Sequence, residues 1–481
     1  MANSTVQSPN RRHSTILAIV IPLLISLLWA KHFWPHLSDD GAIFFRYAEN
    51  LAAGHGPVWN LGEPVEGFSS PLWLLLLSAG VILGAPVIAV AKWMGISFAL
   101  LSLICLGLSL KDNVEAPYLS ASMVGASLTA GLFYWAPSGM ETPLVVFLWS
   151  VTWYLWGTHR GLIPLSLLGV ARPEGALLVL SALLLWKDSP KALKGIHLLS
   201  FLPVGLWFCF RLWYYGDFFP NTYYAKMGGA LTERLLSGWN YSAPILLVWG
   251  CAFFSAEKSV RRQWLWILIG LLSVVWGGGD WMWWGRLLVP FSMLLWLAFP
   301  VILNGRWWLI VPFLWGLSHV LLPYKGVLAC LQLKTLPEIG WQEGTLMPSS
   351  QAQADVIRTI LPSGSLIAVN HAGFLPYFLP EYQFIDMTGL NDHHIAHSAR
   401  GALHQKYDPE YVLSRAPNAI LFHRRTPPPD ESMLSELDYW AGETALAAHP
   451  DFKANYSVLG DYWVRKASGG STVYAILGIR L

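Results

Sequence analysis

Long apolar runs alternate with short polar loops up to residue 323, and the pattern changes character beyond it. The runs are 15–33, 71–84, 87–110, 118–136, 143–157, 162–171, 175–187, 197–215, 243–256, 263–277, 288–304 and 306–323. Several are short for an upright crossing and 162–171 is the weakest, so the pattern predicts about eleven crossings of ~30 Å of hydrocarbon. Lys and Arg collect on the cytoplasmic side of such spans. Arg11, Arg12, Lys187, Lys191, Lys194, Lys258, Arg261, Arg262 and Arg306 are therefore assigned inside. Loops 34–70, 216–240 and 277–287 fall outside, with everything after Pro323. An inside start and an outside end require an odd number of crossings, so one run, in 71–110 or 162–187, is re-entrant or merged. The basic residues before the first run also fit a signal peptide. No small-x-small cleavage pattern follows, and a retained anchor is expected.

From about Lys325 charges, prolines and histidines become common. SLIAVNHAGFLPYF and YQFIDMTGLND each read as a short apolar strand followed by a turn, and APNAILFHRR as a third strand. STVYAILGIRL is expected to close an edge. Strands alternating with helix-compatible stretches predict a small α/β domain. The expected architecture is a polytopic α-helical membrane protein, residues 1–323, with a C-terminal extracytoplasmic α/β domain, residues 324–481.

Composition sharpens this picture. The chain has 481 residues, 54% hydrophobic and 12% charged, against about 25% charged in soluble domains. A net charge of +2 leaves no electrostatic case for nucleic acid. The 27 tryptophans suit a membrane–water interface, and their planar rings also suit sugars. Cys105, Cys209, Cys251 and Cys330 form no CxxC pair, so free thiols are expected rather than disulfides or a zinc site.

The richest stretch is LSDDGAIFFRYAENLAAGHGPVWN, the start of the first outer loop. Ile43, Phe44, Tyr47, Ala48 and Leu51 recur at helical spacing, a stripe fit to lie in the membrane surface. Ser38 or Asp39 suits the N-cap, and Gly54 and Gly56 suit the stop. Asp39 and Asp40 thus stand at a helix N-terminus beside a span end. One Asp there reads as a cap; two together point to acid–base chemistry. Other outer segments carry Glu66, Glu141, Arg172 with Glu174, Asp217 with Asn221, and Asp280 after three glycines. Arg172 and Glu174 equally fit a simple ion pair. Arg46, Lys226 and Arg286 break the charge rule on the outside, which marks them as candidate anion ligands. A lipid-phosphate sugar donor fits this set: the lipid lies between spans, Lys226 or Arg286 meets its phosphate, and a carboxylate takes the acceptor hydroxyl proton.

The run DDGAIFFRYAENLAAGHGPVWNLGEPVEGFSSPLW resembles the first extracytoplasmic loop of the GT-C superfamily of polytopic glycosyltransferases. SGMET, RPEG, YYGDFFPNTYYAK, GGDWM…GRLLVP and IDMTGLNDHHIA resemble its bacterial branch, the one including the mycobacterial terminal β-(1→2)-arabinofuranosyltransferase. The resemblance implies a polyprenyl-phosphate sugar donor, inversion, and a glycan, lipid or protein acceptor on the extracytoplasmic face of a bacterial cytoplasmic membrane. It implies Asp39 as general base, with Asp40 supporting it or sharing a divalent metal ion with it. Some members use a metal and others do not. Lys226 and Arg286 become donor-phosphate ligands by the same resemblance, with Glu66, Glu141, Arg172, Glu174, Asp280 and His371 around the substrates. His393 and His394 lie near stretches that match the branch. Arabinose itself is not implied, because nothing in the chain marks a mycobacterial wall. The rival reading is a transporter or flippase for lipid-linked sugars. It predicts inverted repeats and mid-membrane charges, whereas the sequence carries no repeat and gathers its charges at loops.

Overall fold

The computed structural model describes residues 9–185, 195–255, 261–280, 282–300, 346–398, 405–424, 441–466 and 472–480. The run 306–323, the boundary expected at 323/324, and Lys187, Lys191, Lys194, Lys258 and Arg306 lie outside them. The described chain divides into two compact units, neither of them sequential. One takes residues 1–35, 91–207 and 231–333; the other takes 36–90, 208–230 and 334–481.

The first unit is helical. Among the described residues, two helices are long and apolar enough to cross a membrane, Ile16–Phe33 and Val87–Leu110. The run 118–136 breaks into Ala116–Ser127 and Ala130–Trp135, and at the break Trp296 Nε1 donates to Thr129 Oγ1 at 3.1 Å. Leu231–Ser255 packs beside Arg261–Trp276. Gly238 permits the close approach, because a Cβ there would strike the backbone of Val275. Tryptophan fills much of this interior: Trp135, Trp149, Trp266 and Trp284 are fully buried, and the Trp149 and Trp266 rings stand 4.0 Å apart. Interface placement therefore does not describe these four. Indole has the area to fill gaps between small-residue helices. Cys105 is a buried free thiol in this unit, and Cys209, a free thiol in the second unit, is exposed.

The second unit holds a five-stranded sheet in the order β2-β1-β3-β5-β4. Its strands are β1 (Leu366–Val369), β2 (Gln383–Asp386), β3 (Ala419–Arg424), β4 (Tyr456–Lys466) and β5 (Thr472–Arg480). β1 runs parallel to β2 and β3, and β5 pairs antiparallel with both β3 and β4. The edge expected for STVYAILGIRL is a correction: β5 is interior, and β4, which hydrophobic alternation did not reveal, forms the edge. Ala368, Ile385, Ile395, Ile420, Phe422 and Phe452 are buried in the core beside the sheet. The other edge strand, β2, is blocked by a side chain. Asn60 accepts from the Phe384 N–H at 3.1 Å and donates to its carbonyl at 2.7 Å, which imitates a further strand and satisfies that edge.

Candidate active site

The outer-loop helix forms as its periodicity demands, from Asp39 to Ala52. Ser38 is the N-cap but makes no side-chain capping bond. The C-cap Ala53 N–H returns to the Glu49 and Leu51 carbonyls, and Gly54 follows at φ +85°. The apolar stripe, however, does not lie against lipid. Residues Gly41 to Ala48 are all buried. Phe45 meets the edge of Tyr377, and Tyr47 the edge of Phe68. The helix is buried on all sides along this stretch, so its moment served protein packing rather than a membrane surface.

Arg46 explains how. Expected to be an exposed anion ligand, it is 4% exposed and fully engaged. Its guanidinium donates to the carbonyls of Trp59 at 2.7 Å, Leu379 at 3.1 Å, Tyr382 at 2.9 Å and Pro376. It also lies over the Trp59 and Phe384 rings. The fork of guanidinium donors reaches four carbonyls at once, adding to the bonds that the Trp59, Pro376 and Leu379 carbonyls accept from Asn50 and from the Leu379 and Tyr382 N–H groups. Burial lowers its pKa to about 10. Alongside, burial raises the Glu49 carboxyl above its usual range, opposed by a hydrogen bond from the Tyr377 hydroxyl and by the charge of Arg46.

Asp39 is held by the segment after β1. Its Oδ1 accepts from the Phe374 N–H at 2.8 Å. Gly373 makes this possible, since a Cβ there would stand 2.6 Å from the Asp39 side-chain carbon and collide with its backbone carbonyl. His371 lies just before this contact, half-buried. Asp40 follows Asp39 in the first helical turn.

Glu66 pairs with Arg211 through both carboxylate oxygens, one contact at 3.1 Å and the other shorter. Arg211 was not foreseen, although an arginine inside the apolar run 197–215 is a usable signal, because a membrane segment carries one only with a partner. Beyond it, Asn221 donates to the carbonyls of Gly389, Leu390 and Asp392. Asp386 shapes that same turn: its two oxygens accept from Thr388 N–H and hydroxyl, and from Asn391 N–H and amide. Burial nonetheless pushes its pKa up. The motifs YYGDFFPNTYYAK and IDMTGLNDHHIA therefore meet. Lys226 closes the short helix Asn221–Lys226.

In the same region Asp217 faces His393 Nε2 at 3.4 Å and His397 Nε2 at 3.7 Å. His397 escaped sequence reasoning, though His393 and His397 stand at i and i+4, one face of a helix. Burial and the neighbouring His393 lower the His397 pKa. His394 points elsewhere, to Asp408 at 2.9 Å and onto the Tyr411 ring. Among the described residues, the three His, Asp or Glu ligand atoms found within 4.8 Å of one another belong to Asp217, His393 and His397. Asp39 and Asp40 belong to no such set.

The remaining candidates lie in the helical unit. Arg172 bridges Glu141 at 3.1 Å and Glu174 at 3.0 Å, so the expected pair is a triad. Glu141 Oε2 is buried and has no hydrogen-bond partner among the described residues. Arg286 pairs with Asp280 at 2.7 Å and lies over the Trp135 ring. Of the sequence-predicted residues, Glu141, Arg172 and Glu174 thus form one cluster and Asp280 and Arg286 a pair, all in the helical unit, while Asp39, Asp40, Glu66, Lys226 and His371 belong to the other unit.

A family model described as a domain of unknown function (DUF8728) matches residues 339–476. Terminal β-(1→2)-arabinofuranosyltransferase of Mycobacterium tuberculosis is 30% identical over 258 residues, 46% of this chain and 40% of that protein. Its namesake in Corynebacterium glutamicum is 28% identical over 276 residues, 50% of this chain and 40% of the relative. The chain thus spans well under half the length of the curated relatives it matches. The crystal structure of ArnT from Cupriavidus metallidurans bound to undecaprenyl phosphate matches with a TM-score of 0.53 at 13% identity, covering 96% of this chain and 97% of that one. This likeness is one of fold alone. The curated relatives are glycosyltransferases.

Proposed function

We propose that this chain, similar to terminal arabinofuranosyltransferases and sharing the fold of ArnT, is an inverting membrane glycosyltransferase. It moves one sugar from a polyprenyl-phosphate donor to an envelope glycan, lipid or protein. About eleven crossings place loop 34–70 and the α/β domain outside a bacterial cytoplasmic membrane. The acceptor oxygen attacks the anomeric carbon from the face opposite the phosphate. Asp39 takes the acceptor proton, and the polyprenyl phosphate departs with the bonding electrons. Lys226 and Arg286 are assigned to the departing phosphate, where fixed cations offset developing charge. Undecaprenyl phosphate bound to ArnT supports this donor class. The unsatisfied oxygen of Glu141 supports its place among substrate-binding groups, because a ligand hydroxyl would satisfy it.

The observation that carries the assignment of Asp39 is its hydrogen bond from the Phe374 N–H, with the Gly373 backbone packed against it. That bond fixes the carboxylate's direction, which a general base needs. Asp40 assists it. A divalent ion, where one binds, would be held by Asp39 and Asp40 and would offset charge on the donor phosphate.

Asp39→Asn tests the base. The amide oxygen still accepts from Phe374, so the fold is kept while proton transfer is lost. Transfer from undecaprenyl- or decaprenyl-phosphate sugars by the purified protein is expected to fall at least ~100-fold. Transfer at the wild-type rate would overturn the assignment. Lipid movement across vesicles without sugar turnover would favour the flippase instead.

A further inference from the structure

We infer that Asp217, His393 and His397 form a zinc site with three protein ligands, apart from the carboxylate pair of the outer loop. The donor spacing is the first argument. His393 Nε2 and His397 Nε2 stand 3.4 and 3.7 Å from the Asp217 oxygens. Those separations are long for a charge-assisted hydrogen bond, which closes to about 2.7–2.9 Å. Atoms bound at ~2.0–2.1 Å around a tetrahedral ion stand roughly 3.3 Å apart. His394 supplies the contrast within the same helix: its Nε2 reaches Asp408 at 2.9 Å, an ordinary hydrogen bond.

Support from the surroundings is the second argument. The two imidazoles lie on the helix His393–Ser398, their rings stacked 4.1 Å apart. Asp392 accepts from the Ile395 N–H and so holds the start of that helix. Tyr224 packs its ring 4.0 Å from that of His397. The Asp217 side is held by Asn221, whose amide clasps the carbonyls of 389, 390 and 392. Both halves are therefore positioned by bonds that do not involve the three donors, which is how outer contacts preorganise a metal site.

Ligand chemistry selects the metal. Two imidazoles and one carboxylate suit zinc, whereas calcium and magnesium take oxygen ligands. Three protein ligands leave the fourth position to water, and His393, at 54% exposed, leaves that side open to solvent. Bound metal ties the segment that follows helix Leu202–Tyr214 to the segment that follows β2.

The test uses the full-length protein in detergent, free of any histidine tag and stripped of metal with a chelator. Zinc is titrated against a chromophoric chelator, and cobalt serves as a spectroscopic probe. Wild type is expected to bind one equivalent of zinc and to give the intense visible absorption of tetrahedral cobalt. Asp217→Asn and His397→Ala are each expected to weaken binding at least ~10-fold and to lose the cobalt band, while His394→Ala keeps both. Thermal unfolding of the metal-free forms checks that the variants are folded. Absence of saturable binding in wild type, or equal binding in folded Asp217→Asn and His397→Ala proteins, overturns the site.

Discussion

Asp39 and Asp386 are the same residue type with opposite demands on their oxygens. Asp39 Oδ1 accepts from the Phe374 N–H, a bond that an amide oxygen can accept equally well. Asp386 is fully buried and uses both oxygens, each for two donors. An amide there turns one acceptor into a donor facing donors. Asp386→Asn is therefore expected to cost ~2–3 kcal/mol of stability, read as a lowered denaturation midpoint; an unchanged midpoint would refute the four-donor reading. Glu49 gives a pH dependence. Its folded pKa lies above the ordinary 4.5 because of burial, so the folded state holds the proton more tightly than the unfolded chain. Its contribution is fully present below 4.5 and is lost as pH rises through the folded value. Glu49→Gln should match wild type near pH 4.5 and exceed it in unfolding temperature near pH 7. A gap that narrows with rising pH would show the sign to be wrong.

At the level of elements, the outer-loop helix is held less by its own capping than by one arginine. Ser38 makes no side-chain cap, whereas Arg46 satisfies carbonyls from Trp59, Pro376, Leu379 and Tyr382. These lie on the strand-connecting segment and on the loop itself, so the helix and the region between β1 and β2 are joined through it. Removing the guanidinium takes the Arg46 donor from the buried Tyr382 carbonyl, costing ~1–3 kcal/mol, takes one of two donors from the Trp59, Pro376 and Leu379 carbonyls, and leaves the space of a buried side chain unfilled. Arg46→Ala is expected to lower stability by at least ~3 kcal/mol. Arg46→Lys should recover little of it, because an ammonium on a flexible stem cannot reach the same fork of acceptors. Full recovery by lysine, measured by thermal unfolding in detergent, would mean that charge rather than geometry holds the helix.

Across the whole molecule, the compact units cut through the chain order. Residues 36–90 and 208–230 fold with the C-terminal sheet rather than with their sequence neighbours. His55 and Asp451 both belong to that unit and both are exposed. The proposed orientation puts them on the same, outer side of the membrane. With the native cysteines replaced, His55→Cys and Asp451→Cys are each expected to react with a membrane-impermeant maleimide in intact cells. Labelling of either one only after permeabilisation would contradict the topology.

Local pattern settled a good deal on its own. Helical spacing from Ile43 to Leu51 and the glycines after it delimit the outer-loop helix closely, and β1, β2 and β3 fall on the three apolar runs read as strands. Period and apolar length belong to a segment by itself, so sequence suffices for them. Partnership does not. That Arg46 serves carbonyls instead of an anion, that Glu66 meets Arg211, and that His397 faces Asp217 are contacts between distant segments. β5 became interior for the same reason: β4 found its open side. Which charge finds which partner depends on burial and on distances set only when the chain closes on itself, and that is what tertiary structure decided.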